Sequence, residues 1–368
     1  VALLMERNES RGTSTGRPSG WEPGALRPRI VRWTVVVLGI SALIFALANS
    51  SRDVSGTRVG RSPGSYVPTR TEYLGISNWY LIFEINTLIL FIAFWATAIY
   101  RSKRRGKPTP TLILLAAITT LTMWDPIMNW TPQVAFDPRA LHFDVDWPWV
   151  NLAPNIEPWF DIIGYSFFFL LPAYIVLRMY RVAVRRVGPD AWITRHPRTT
   201  LIVMAIPVCL VWDTVLEATL VRAGIYTYTH VIPWFSLFPG KAWQFPLAET
   251  FLFGLVLVPT AAMMWVNDQG QTWGETFAMR FKIFRGRPNL GAYAVYVAVF
   301  SVLYVVLTGV GFGLLRATGV NTEVARPWRY PETAVFDPHG YYLNSGEPGP
   351  YYVGTWGGWE HRMPNGGR

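Results

Sequence analysis

Seven apolar stretches, separated by polar and Pro/Gly-rich segments, run along the chain. Each is close to the roughly 20 residues a helix needs to cross a bilayer, so the pattern predicts an all-α, polytopic membrane helix bundle of about seven transmembrane helices. The predicted spans are 30–48, 79–100, 110–124, 159–177, 199–220, 245–265 and 290–315. Residues 1–29, rich in Gly, Pro, Ser and Arg and without hydrophobic periodicity, read as a disordered cytoplasmic tail. Residues 30–315 form the transmembrane domain, and 316–368 a Gly/Pro/aromatic-rich extracytoplasmic tail. A long polar segment precedes the first span and Asn49-Ser50-Ser51 is a poor cleavage site, which favours a retained helix over a cleaved signal peptide.

Charge sets the expected orientation. The clusters Arg101–Lys107, Arg178 to Arg186 and Arg280 to Arg287 fall on one side of a seven-span arrangement, which the positive-inside bias assigns to the cytoplasm of a plasma-membrane protein. Only segment 50–77, with Arg52, Arg58, Arg61 and Arg70, dissents. Of the 368 residues 51% are hydrophobic, and the formal net charge is +10. Because the basic residues flank apolar runs, orientation accounts for that charge and no nucleic-acid partner is expected; the partners are the lipid bilayer and a lipophilic small molecule. The single cysteine, Cys209, lies in an apolar run and reads as a small buried hydrophobe.

Acids inside such stretches are expensive and point to function. In Trp212-Asp213-Thr214-Val215-Leu216-Glu217 the two carboxylates are spaced i, i+4 and share a helix face. Trp124-Asp125-Pro126-Ile127-Met128-Asn129 repeats the arrangement, and Pro126 breaks or kinks the helix there. Glu84, Asp161 and Glu249 lie at the same, outer ends of their spans, so the acids converge on one outward cavity. Spans two and three resemble four and five in this respect, as a duplicated hairpin would. The loop 131–158, with Asp137, Asp144, Asp146, Glu157, Trp147 and Trp149, reads as an outer lid or interfacial anchor. Gly309, Gly311 and Gly313 suit close helix packing in the last span.

Clustered carboxyls in a dry site supply a general acid beside a general base. Asp213, Glu217 and Asp125 are the candidate catalytic groups, with Asp213 and Glu217 the preferred pair. Asn129, His230 and Arg222 would orient the substrate or balance charge, and Glu84, Asp161 and Glu249 would ring the cavity. Arg222 is also positioned for a structural ion pair. Such chemistry needs no cofactor. His142, His196, His230, His339 and His361 are isolated, so no metal site is expected, and no phosphate-loop, dinucleotide-binding or nucleophile-elbow motif is present.

The stretches Trp124–Trp130, Trp212–Glu217, Tyr226-Thr227-Tyr228-Thr229-His230-Val231-Ile232-Pro233 and Gln244-Phe245-Pro246-Leu247 together resemble the AveC-like spirocyclase family of actinobacterial membrane proteins. That resemblance runs from about Trp79 to Phe312. It implies cyclisation of a dihydroxy-ketone polyketide to a spiroketal, with or without dehydration. Two other classes stay open: a non-catalytic lipid-binding or accessory subunit of a lipid transport system, and a proton-coupled transporter. Discontinuous helices in matched halves would favour transport; carboxyls in contact within a largely apolar pocket would favour the enzyme.

Overall fold

A computed structural model describes residues 28–52, 72–145, 147–153, 156–327 and 329–330. The predicted terminal tails therefore lie outside the described residues, apart from 28–29 and those described between 316 and 330. The chain forms two units that divide after Ala48. In the first, α1 (Pro28–Ala48) is mostly apolar beyond Arg29 and Arg32, as suits a helix in lipid; its described apolar part, Val36–Ala48, is shorter than the other spans.

Six helical runs of the second unit are long and apolar enough to cross a membrane. They are α2 (Trp79–Arg105); α3 (Pro110–Leu121) continuing through a 3-10 turn into α4 (Asp125–Trp130); α5 (Trp159–Val184); and, after the short α6 (Trp192–Arg195), α7 (Pro197–Ala223). The fifth is α8 (Leu247–Leu252), α9 (Gly254–Leu257) and α10 (Pro259–Met264). After α11 (Trp273–Ala278), the sixth joins α12 (Pro288–Leu303) through a π-helical turn (Tyr304–Val310) to α13 (Gly311–Ala317). Local chemistry marks the ends. Gly106 and Gly224 close α2 and α7 in the left-handed conformation, at φ 67° and 78°, which costs glycine little. Thr109 caps α3 by accepting from the Leu112 amide, with Pro110 in its first turn.

The centre of the bundle is α5 and the α8–α10 run. Their apolar windows are 67% and 72% buried, against 11% for α2, whose side chains largely face outward. Aromatic rings hold the centre together: Phe168 stacks on Phe253 at 5.2 Å and Phe169 meets Phe300 edge-on at 5.4 Å. Of the three late glycines, Gly311 is required by packing, since a Cβ there would meet Leu252 at 2.9 Å, whereas Gly313 faces open space.

Three runs are interrupted: between α3 and α4, at Phe253 and Val258, and at the π turn. Broken backbone at membrane depth is tolerated where protein or a cavity satisfies it. Each break sets a side chain into the same region: Asp125, Phe253 and Tyr304. Short antiparallel strands cap that end. They are β1 (Val134–Phe136), β2 (Tyr226–Tyr228), β3 (His230–Val231), β4 (Ser236–Leu237), β5 (Phe245–Pro246) and β6 (Glu323–Val324), paired β1 to β2, β3 to β6 and β4 to β5. The expected outer loop thus folds in part as a buried ribbon, with Val134 opposite Tyr228.

Candidate functional site

Beneath the β1–β2 ribbon lies a cavity of about 60 Å³, room for a few waters. Four carboxyls from four helices face it: Asp125 on α4, Asp161 on α5, Glu217 on α7 and Glu249 on α8. Asn129 joins them, and Phe160, Phe168, Phe253 and Tyr226 supply much of the apolar wall. The geometry follows from the local sequence. Pro126 lets a new helix start at Asp125, and one turn later Asn129 reaches the same face. Asp161 and Glu249 each lie in the first turn of their helices, where a carboxyl is favoured by the helix dipole.

Behind Asp125 lies Glu157, an acid that the sequence placed in the outer loop 131–158 and not among the site residues; it is 1% exposed. Its Oε2 accepts from Asn129 Nδ2 at 3.0 Å. Its carboxyl lies against that of Asp125, and neither Glu157 Oε1 nor Asp125 Oδ2 has an N–H or O–H donor among the described residues. Ionised carboxylates only accept, so this contact holds when one of the two keeps a proton. Burial, then the charge of Asp125 and the hydrogen bond to it, push Glu157 well above the ordinary glutamate value. Of the two, Glu157 is the better placed to keep that proton. Asp125 Oδ1 in turn accepts from the Tyr165 hydroxyl, which accepts from Tyr304 on the π turn.

Glu217 is held differently. Its Oε2 accepts from the hydroxyls of Tyr226 and, at 3.4 Å, Tyr228. These residues are two apart on β2 and share a face. Burial, with the nearby carboxylates, raises both phenols well above their ordinary value, so they remain donors and can solvate a negative charge on Glu217. Asp161 lies within electrostatic reach of both Asp125 and Glu217, linking the two sides.

Asp213 sits one turn deeper on α7. It is 0% exposed, does not reach the cavity wall, and neither oxygen has a hydrogen-bond partner among the described residues. Gly254 packs beside it, a Cβ there standing 3.4 Å from the Asp213 Cβ. Glu249 is close by, with an Oε2 likewise lacking a partner among the described residues.

Three further sequence candidates lie away from the cavity wall. Glu84 forms an ion pair with Arg52 at 2.7 Å and accepts from the Leu141 amide. His230 is buried on β3, with Nδ1 2.9 Å from the Thr229 hydroxyl. Arg222 stacks on Trp243, its guanidinium 3.9 Å from the ring centroid, rather than meeting a carboxylate. None of the six clustered acids forms an ion pair with Lys or Arg among the described residues, nor are three or more His, Cys, Asp or Glu arranged to hold a metal ion there. Besides Glu157, the missed members are Tyr165, Tyr304, Tyr226 and Tyr228. Only the tyrosine alternation at 226 and 228 left a trace in sequence, as two side chains of one strand face.

No curated protein and no solved structure matches the chain. A family model does: the one described as Spirocyclase AveC-like, over residues 103–336. That match spans well over half of the chain and includes all six clustered acids. This helical membrane protein therefore belongs to the AveC-like spirocyclase family.

Proposed function

We propose that the cavity is an acid/base site that closes a lipophilic dihydroxy-ketone into a spiroketal at the plasma membrane, with the acid-lined end facing outward. The observation that carries this is the opposition of two differently held carboxyl groups across one small aromatic cavity. The Asp125–Glu157 pair stores a proton; Glu217, solvated by two phenols, accepts one.

The chemistry divides between them. One substrate hydroxyl adds to the ketone carbon while Glu217 takes its proton and Asp125 passes the Glu157 proton to the carbonyl oxygen. That gives a hemiketal. Glu217 gives its proton to the new hydroxyl, water leaves, and the oxocarbenium ion that remains is stabilised by the surrounding carboxylates. The second hydroxyl then adds and loses its proton to the Asp125–Glu157 pair, restoring the starting state. One water leaves and no electrons are exchanged. Positioned acid/base groups contribute typically 10²–10⁴-fold, and a fixed polar site in an apolar wall adds electrostatic stabilisation. Ligand pockets are usually about 300–1,000 Å³, so the much smaller enclosed space suits the reacting carbonyl region, with the arms of a longer chain outside it.

Contact between carboxyls supports the enzyme over the transporter. Broken runs do occur, but they are the second, fifth and sixth of the six, whereas α7, the counterpart of α3–α4 in the suggested duplication, is continuous. The test is gene deletion followed by complementation and mass spectrometry of extracted metabolites. The deletion strain should accumulate a compound heavier by one water, converted by wild type but not by Asp125→Asn or Glu217→Gln. Full rescue by both variants would remove the acid/base role.

A further inference from the structure

One glycine in the cavity wall has no packing reason to be glycine. At Gly274, Gly291 and Gly311 a Cβ would approach a neighbour within 2.6, 2.4 and 2.9 Å, so close contact excludes any side chain. At Gly164 a Cβ would meet only Phe167 Cε1 at 3.5 Å and Thr87 Cγ2 at 3.8 Å, ordinary van der Waals distances, and nothing else within 4 Å. Gly164 lies in α5 just past its first turn, with no positive φ. Glycine is unfavourable in a helix interior relative to alanine, so neither backbone nor packing accounts for it.

The cavity does. Asp161, Gly164, Tyr165 and Phe168 all line it, at the i, i+3, i+4 and i+7 spacing of one helix face. Gly164 thus stands one turn from a cavity acid and next to the tyrosine that donates to Asp125. We propose that Gly164 is a specificity-determining position, its missing side chain leaving room for an alkyl substituent on the carbon beside the reacting ketone. A Cβ added there would meet Phe167 and Thr87 at ordinary contact distance, at the wall of a space of about 60 Å³, where one methylene can change discrimination by about 10–200-fold.

This inference rests on the spirocyclase reading, and its test separates the two. Purified wild-type protein and Gly164→Ala are given two synthetic keto-diols, one unbranched and one with a methyl group next to the ketone, and formation of a single spiroketal diastereomer is followed. Wild type should convert both. Gly164→Ala should slow the branched substrate at least about tenfold more than the unbranched one, with thermal stability in detergent equal or higher. Gly164→Val should extend the loss to the unbranched substrate. Equal rates for both substrates in Gly164→Ala, an equal fall for both, or lower stability would each overturn the assignment. Conversion of neither substrate by wild type would overturn the spirocyclase reading, and this inference with it.

Discussion

Asp125 and Asp213 each follow a tryptophan near the end of an apolar stretch, and each has a polar side chain four positions on, yet the fold gives them opposite surroundings. Asp125 begins a six-residue helix after a break and opens onto the cavity in contact with Glu157, Asp161 and Tyr165. Asp213 sits inside an unbroken 27-residue helix, and its partner Glu217, rather than Asp213 itself, reaches the wall. The difference lies in the backbone. A proline after the aspartate lets the chain restart and turn; a continuous helix advances 1.5 Å per residue, so residues four apart differ by a full turn in depth. Similar sequence patterns therefore give one residue on the cavity wall and one sealed behind it.

The largest effects should separate the two copies. Asp125→Asn and Glu217→Gln are expected to lower cyclisation by about 10²–10⁴-fold, whereas Asp213→Asn should cost less than about tenfold, read as product formation by equal amounts of purified protein. A loss at Asp213 equal to that at Asp125 would erase the distinction. Next comes Glu157, whose isosteric Glu157→Gln keeps a neutral group beside Asn129 but holds no exchangeable acid proton. Activity should fall by about 10²-fold with little change in stability, while Glu157→Ala, leaving Asn129 without its acceptor, should cost roughly 1–3 kcal/mol in stability. A smaller effect is expected on the Glu217 side. Tyr226→Phe removes one of two donors and should reduce the rate by about tenfold, the lower end of the roughly 1.5–3 kcal/mol that a hydrogen bond to a charged group is worth, because Tyr228 remains.

The proton on Glu157 also gives a pH dependence with a defined sign. Its folded value lies above the ordinary 4.5, so the folded state binds the proton more tightly than the unfolded state. Its contribution to stability is complete below the ordinary value and falls as pH rises toward the folded value. Thermal stability in detergent should therefore decline across that window in wild type, and less so in Glu157→Gln. Parallel curves would place the proton elsewhere.

Much of this was legible from hydropathy and charge, because lipid-length apolar runs and acids within them are both rare and costly. Asp125, Asn129, Asp161, Glu217 and Glu249 all reach the cavity. Glu157 was not legible. Its neighbours Pro154, Pro158 and Trp159 look like an outer loop, and nothing local shows that the chain carries this one acid back against α4. Tyr165 and Tyr304 were hidden for another reason: in a core so rich in aromatic rings, a phenol that donates to a carboxylate has the same sequence signature as a ring that only packs. Arg222, chosen as the nearest cation along the chain, turns instead to Trp243, since proximity in sequence does not set the direction of a side chain at the end of a helix.

The most direct measurement is infrared spectroscopy of the purified resting protein near neutral pH, comparing wild type with Glu157→Gln in the region of the protonated carboxyl C=O stretch. The account predicts a protonated-carboxyl band in wild type that Glu157→Gln removes. Identical spectra would mean that Glu157 is ionised in the folded protein, and that the Asp125–Glu157 pair stores no proton to give.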